Sequence, residues 1–401
     1  MVGPLTRRFL PLLCIAIAVI AFGSPSNAAW CCPFCGQAQQ TMLGDFPQAS
    51  FVVFGTLKGA KMDDAFGGST ELVIEKVLKD NDYLKDKKSI TIPRYLPKAD
   101  GKTKFLVYCD IFKDRLDPFR GVEVRADSDL IKYLEGAQKV KDKPAADRLT
   151  FCFDYLDNAE NEISNDAYNE FARADYEDYR GMAKGLNPNR IARWLQDPNT
   201  PTFRFGLYAS MLGHCGKEEH AKVLRELLDD PTKKLLSGAD GILAGYIMLK
   251  PKEGREYLTA ILKDEKREFA QRYAALRAVR FFWNSRPDIL PRKDCVEEAA
   301  LLLPQSDIAD LAIEDFRKWK CWDMTETILK YAQEKSHDVP IIRRSVLRFA
   351  LSAQSGTGAR HPAAAAYVEA ERAKDREKVA EVEELLKLET TPVSAKPAGG
   401  K

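Results

Sequence analysis

Three cysteines fall within "AWCCPFCG", residues 29–36, namely Cys31, Cys32 and Cys35. Thiols this close open three kinds of chemistry. Cys32-Pro33-Phe34-Cys35 has the spacing of a thiol–disulfide exchange pair, which needs a preceding strand and a helix N-terminus to hold the thiolate. The same spacing is half of a four-ligand zinc site, but no second half at tight spacing follows. Haem attachment needs His after the second cysteine, and Gly36 stands there. The third chemistry is a structural disulfide, the leading expectation here, with Cys32 and Cys35 as the alternative redox pair.

A second constellation, His214-Cys215 with His220, could form a metal cluster or a Cys–His nucleophile pair. Its residues fall at a helix end and the following turn, where packing or solvated histidines are common. Only four histidines are present, the others being His337 and His361, which leaves little material for a triad. The sequence carries no phosphate-binding glycine loop and no His-Glu-x-x-His. No catalytic residue, metal ligand or cofactor is expected.

The elements that must position these groups begin after a leader. Arg7 and Arg8 precede an apolar run, Phe9 to Phe22, and small residues around Ser26 and Ala28. This is the pattern of a secretory signal peptide cut after Ala28, giving an exported protein, periplasmic or extracellular, with no stable membrane insertion after cleavage. Loss of the two arginines takes the formal charge from +2 to 0 (2 − 2). Residues 51–135 mix 16 basic with 15 acidic side chains. Nucleic acid is excluded as a partner, because phosphate binding needs a concentrated positive face. Of nine cysteines, Cys14 belongs to the leader, so eight remain (9 − 1) and an exported chain can bridge them.

From Ala49 the sequence reads as short strands: "ASFVVFGTLKG", then "STELVIEKVLKD" with Leu72, Ile74 and Val77 inward, then "SITIPRYLP" and "TKFLVYCDIF". The last two flank Lys98-Ala99-Asp100-Gly101-Lys102, a hairpin signal of the Asp-Gly kind. Pro93 and Pro97 place the strand before it at an edge or a bend. "DLIKYLEGA" follows as a helix.

Beyond Arg148 strand signals end. Asp197, Asp230 and Asp264 recur 33 and 34 residues apart, each ahead of a helix with apolar positions i, i+3, i+4 and i+7. Those helices start their stripes at Phe205, Ile242, Ala275, Ala309 and Ile342, spaced 37, 33, 34 and 33 residues, with a second helix between each pair. A period in the mid-thirties with two helices per unit predicts a solenoid whose units share one core. Residues 154–184 read as helices packing tyrosines inward, because their acidic groups lack the spacing of a calcium loop. "PAAAAYVEAERAKDREKVAEVEELLKLE" reads as one long charged helix before a polar tail.

Two family resemblances rest on these residues. The N-terminal cysteines, "ASFVVFGTLKG", "TELVIEKVLKD" and "GKTKFLVYCD" together resemble the netrin-like (tissue-inhibitor-of-metalloproteinase-like) domain. That likeness implies an OB-type barrel, with its leading segment tied to the barrel by disulfides. One of Cys31, Cys32 or Cys35 would then bridge to Cys109, and another to Cys152. The likeness also implies protease inhibition through the amino group of an N-terminal cysteine, whereas the expected cut leaves Ala29 and Trp30 ahead of Cys31. "LYASMLGHCG" resembles HEAT-like repeats, in which glycine caps the first helix. "RLTFCFDYLDNAENEISNDAYNEFA" and "SDIADLAIEDFRKWKCWDMTE" are similar to uncharacterised exported proteins of planctomycete-type bacteria, a likeness that implies no activity.

The expected organisation is multidomain α+β: a signal peptide over 1–28, a netrin-like OB-type β domain over 29–147 and a helical connector over 148–198. HEAT-like repeats over 199–354 form an α-solenoid after the small OB-like β-barrel, and a charged helix and tail span 355–401. The expected function is a non-enzymatic binding or scaffold protein, with the concave solenoid surface meeting an unidentified protein partner. The alternatives are envelope thiol–disulfide exchange through Cys32 and Cys35, and netrin-like protease inhibition.

Overall fold

The structure is a computed structural model and describes residues 34–35, 39–63, 67–113, 115–231, 237–355 and 361–390. A short helix, α1 (Met42–Asp45), leads into the strands β1 (Phe51–Met62), β2 (Gly68–Lys79), β3 (Ser89–Ile92), β4 (Asp100–Phe112) and β5 (Arg115–Val124). They form one antiparallel sheet of order β3-β2-β1-β4-β5. Side chains alternate between its faces as a pleat requires. On β4, Leu106 and Tyr108 enter the layer beneath α2 (Leu130–Val140), while Val107 and Cys109 enter the opposite one with Phe51, Val53 and Leu72. The run "FVV" is apolar without a break because both faces are covered.

The chain is thus α+β, and three strand expectations are corrected. Asp100-Gly101 does not turn a hairpin, since β3 pairs with β2 and β4 pairs with β1 and β5. The segment is a crossover that carries β4 to the free side of β1, and Asp100 caps its own turn by accepting from Lys102 N and Thr103 N at 2.8 Å each. The sheet is open rather than a closed barrel: β3 and β5 are its two edges. Pro93 follows immediately on the four residues of β3, and Pro118 removes a donor from β5, so neither edge offers a full ladder. Val77 faces solvent rather than the core. The edge position foreseen for the proline-flanked strand is the one it occupies. Curvature enters at bulges in β1 and at Gly55, where a Cβ would stand 1.9 Å from Val73 O of the neighbouring strand.

Helices follow in sequence: α3 (Ala145–Phe153), α4 (Asn161–Arg173), α5 (Tyr176–Ala183), α6 (Pro188–Gln196), α7 (Phe205–Cys215), α8 (Ala221–Asp229), α9 (Ala239–Leu249), α10 (Pro251–Lys263) and α11 (Phe269–Ser285). After them come α12 (Arg292–Ala300), α13 (Ala309–Trp319), α14 (Thr325–Ala332), α15 (Pro340–Ser355), α16 (Pro362–Lys374) and α17 (Arg376–Thr390). Side-by-side packing already links α3 to α5 and α5 to α7, then α7 to α9, α9 to α11, α13 to α15 and α15 to α17. The tyrosines of 154–184 turn inward as expected, with Tyr168, Tyr176 and Tyr179 buried.

Two features hold the odd-numbered helices in register. Glycines let α7 and α9 meet backbone to backbone: a Cβ on Gly241 would stand 2.4 Å from Gly206 O, and one on Gly245 would stand 2.3 Å from Ala209 O. Gly213 joins this seam from inside α7, so it is a packing residue and not the helix cap; Gly216 takes the cap position, in extended backbone. Arginines then bridge neighbouring odd-numbered helices to acids or amides far along the chain. Arg272 reaches Gln305 and Asp307, Arg280 reaches Asp315, and Arg348 reaches Glu314, at separations of 33 to 35 residues. Arg277 lies 2.7 Å from Asp240. Arg272 near the start of α11 reaches Gln305 and Asp307 just ahead of α13, and Trp283 stacks on Trp319 at the two helix ends, so α11 and α13 run parallel.

The charged terminal stretch is two helices and not one. The chain breaks at Asp375, whose backbone is extended, and α16 and α17 both pack on α15 by burying Ala364, Val368, Val379 and Val382. Their outer faces stay charged, which suits the terminal unit of a stacked array.

Candidate functional site

Cys31 and Cys32 lie outside the described residues. Phe34 and Cys35 are described, and they sit against the helices and away from the sheet. Phe34 is buried, its ring 4.5 Å from that of Phe281 on α11 and its backbone against Gly206 at the start of α7. The small residues of the α7–α9 seam make the room it occupies. Phe281 in turn meets Tyr176 of α5 at 5.2 Å, so aromatic side chains from α5, α11 and the leading segment fill this side of the array.

Cys35 is disulfide-bonded and half-buried. Its partner lies outside the described residues, because Cys109, Cys152, Cys215, Cys295 and Cys321 are all free thiols. The expected bridges to Cys109 and Cys152 are therefore not formed. The reason is layering: Cys109 belongs to the sheet core with Phe51 and Leu72, whereas Cys35 packs on the helical core. Cys152 is in the helical core and remains a buried thiol. Burial pushes the thiols of Cys109 and Cys295 up to about 12 and those of Cys215 and Cys321 up to about 11. At neutral pH these four are protonated and weakly nucleophilic.

The His214-Cys215-His220 constellation is dispersed. His214 Nε2 is 3.0 Å from Tyr176 Oη, and burial, with Arg286, Arg180 and Lys184 nearby, lowers its pKa to about 3. A ring so disposed is neutral and a poor base at physiological pH. Cys215 Sγ instead faces Met211 O at 3.2 Å within its own helix. His220 Nδ1 accepts from Lys217 N at 3.0 Å, and its Nε2 is 3.1 Å from Asn189 Oδ1. Among the described residues no group of three or more His, Cys, Asp or Glu side chains could hold a metal ion, and no helix is long and apolar enough to cross a membrane.

A different feature escaped the sequence reading. Large apolar side chains stand in solvent where alternate odd-numbered helices begin: Phe203 just before α7, Phe269 at the start of α11, and Val339 and Ile341 at the start of α15. Phe269 is 44% and Ile341 59% exposed. Each falls ahead of the stripe that faces the core, and that phase offset was the available signal. The equivalent turn of α13 is closed by Ile308, which is buried.

No family model, curated protein or solved structure matches the chain.

Proposed function

We propose that the mature chain is an exported, non-catalytic scaffold protein whose helices form a HEAT-like solenoid that meets a protein partner. The observation that carries this reading is the row of Phe203, Phe269, Val339 and Ile341 along the edge where the helices begin. Burying one such side chain contributes about 1.5–3 kcal/mol, and aromatic anchors dominate protein interfaces. Their spacing over alternate helices suits a partner that lies along the array. The contact surface is assigned to this edge because its apolar side chains stand in solvent, whereas Phe34, Phe281 and Tyr176 are buried against one another.

The leading domain fits a netrin-like, OB-type fold. An order with β1 central and β4 returning to its free side is that of a five-stranded Greek-key barrel opened between β3 and β5.

Chemical cross-linking of the exported protein in its native envelope tests the function, with Phe203→Ser, Phe269→Ser and Ile341→Ser combined. The triple variant should lose the cross-linked protein while keeping its melting temperature; retention at the wild-type level would overturn the reading. Thiol exchange through Cys32 and Cys35 is the second reading, supported by the disulfide at Cys35. A potential near those of cytosolic dithiol pairs, reached reversibly with mild reductant, would favour it.

A further inference from the structure

Where the sheet-bearing part meets the first helices, a cavity of about 430 Å³ opens between α1, α2, α3 and the turn from α4 to α5. Its volume lies in the range of small-molecule sites, which favour such junctions. Leu43, Leu149 and Phe151 give it apolar walls, and Cys152 lines it from the core. Three cations line it as well: Lys141 where α2 ends, Arg148 on α3 and Arg173 at the end of α4. Three carboxylates accompany them, Glu170, Asp175 and Asp178.

None of these six charges forms an ion pair among the described residues, although the helices elsewhere are laced with such pairs. Arg173 makes only a long contact, 3.4 Å, to Thr41 Oγ1, and Thr41 in turn donates to Glu170 at 2.6 Å. Arg148 donates to Lys143 O at 2.8 Å, which leaves the rest of its guanidinium free.

The balance of charge narrows the ligand. Three cations against three carboxylates give no net charge, so a nucleotide or other polyanion is disfavoured. The apolar walls disfavour a sugar. What remains is a small molecule whose own charges cancel and whose body is apolar. We propose that this cavity binds an apolar α-amino acid, its carboxylate on the guanidinium groups of Arg173 and Arg148. The ammonium group meets the facing carboxylates, and the side chain lies against Leu43, Leu149 and Phe151. A guanidinium takes a carboxylate through two parallel N–H···O bonds, which gives the anionic end its orientation.

Titration calorimetry of the full mature protein tests the assignment, with leucine and phenylalanine as probes. N-acetyl-leucine, leucine methyl ester and hexanoate serve as the anionic, cationic and headless-amine controls. Leucine or phenylalanine should bind saturably, and each control should bind at least roughly tenfold more weakly, since each lacks one charged contact. Arg173→Ala should cost roughly the same factor with the amino acids and leave the melting temperature of the free protein unchanged. Ala145→Trp, which fills the cavity from the half-buried first residue of α3, should abolish binding with the helical circular dichroism retained. Absence of binding at millimolar concentration, equal affinity for free and N-acetylated leucine, or indifference to Arg173→Ala would each overturn the proposal.

Discussion

Asp166 is the carboxylate on which the two parts of the molecule meet. From α4 it accepts Met42 N of α1 at 2.5 Å and the Tyr133 hydroxyl of α2 at 3.0 Å. Glu170, Arg120 and Cys152 face the same pocket of charge. Burial raises its pKa to about 6, against about 4 in an unfolded chain. The folded protein therefore takes up this proton first as pH falls. Its contribution is fully present below about pH 4 and is lost as pH rises through about 6. Asp166→Asn removes the titration and keeps one acceptor and one donor in place. In urea melts the variant should match the wild type near pH 4 and exceed it by about 2–3 kcal/mol near pH 7.5; a constant difference across that range would contradict the assignment. Asp240 is a second carboxylate whose pKa burial raises, but here a guanidinium partly offsets the burial. It is 2% exposed, with Arg277 at 2.7 Å. Arg277→Ala strands that carboxylate and should cost about 3 kcal/mol, most of it recovered when Asp240→Asn is added. Equal stability of the single and double variants would show that the pair contributes nothing.

At the scale of elements, the α7–α9 seam decides how closely the array stacks. Gly241→Ala and Gly245→Ala push a methyl group into backbone oxygens of α7 that cannot retreat singly. Each should destabilise by about 2 kcal/mol or more, despite the better helix propensity of alanine. Gly181→Ala is the control. It lies in α5 with nothing within 4 Å of its added carbon, and it should stabilise by about 0.5–1 kcal/mol. Thermal melts that moved all three in one direction would refute the seam. Much of this element layer was legible beforehand. The apolar stripes at Phe205, Ala275 and Ile342 located α7, α11 and α15, because a 3.6-residue period survives any tertiary context. The pairing of β4 was not legible: Asp-Gly chemistry is local, and the choice between the two sides of β1 is made by burial of both sheet faces. Strand β5 is hidden in the sequence because Pro118 and four charged residues interrupt its alternation. The arginine bridges were invisible for another reason, since a partner far along the chain looks like any solvated charge in the sequence. Phe34 was overlooked beside its cysteines, although its burial between α7 and α11 is what places that segment on the helices.

At the scale of the whole molecule, the sheet and the helices share a core at their junction. Ile163 of α4 is buried with Val52, Leu106 and Leu134, and Phe151 of α3 and Tyr155 just after it pack beside them. The far end is closed by α16 and α17, where Arg317 and Arg348 both hold Glu389. On the proposed reading, a partner docks along the edge of helix starts, where Phe203, Phe269, Val339 and Ile341 stand exposed. Photo-cross-linking from that edge tests this most directly. A benzophenone amino acid is placed in turn at Phe203, Phe269 and Ile341, and at Lys87 on the sheet domain as the control. The account predicts that the three edge positions capture one and the same protein from the native envelope and that Lys87 does not. Capture of that protein equally from Lys87, or of nothing from any edge position, would contradict it.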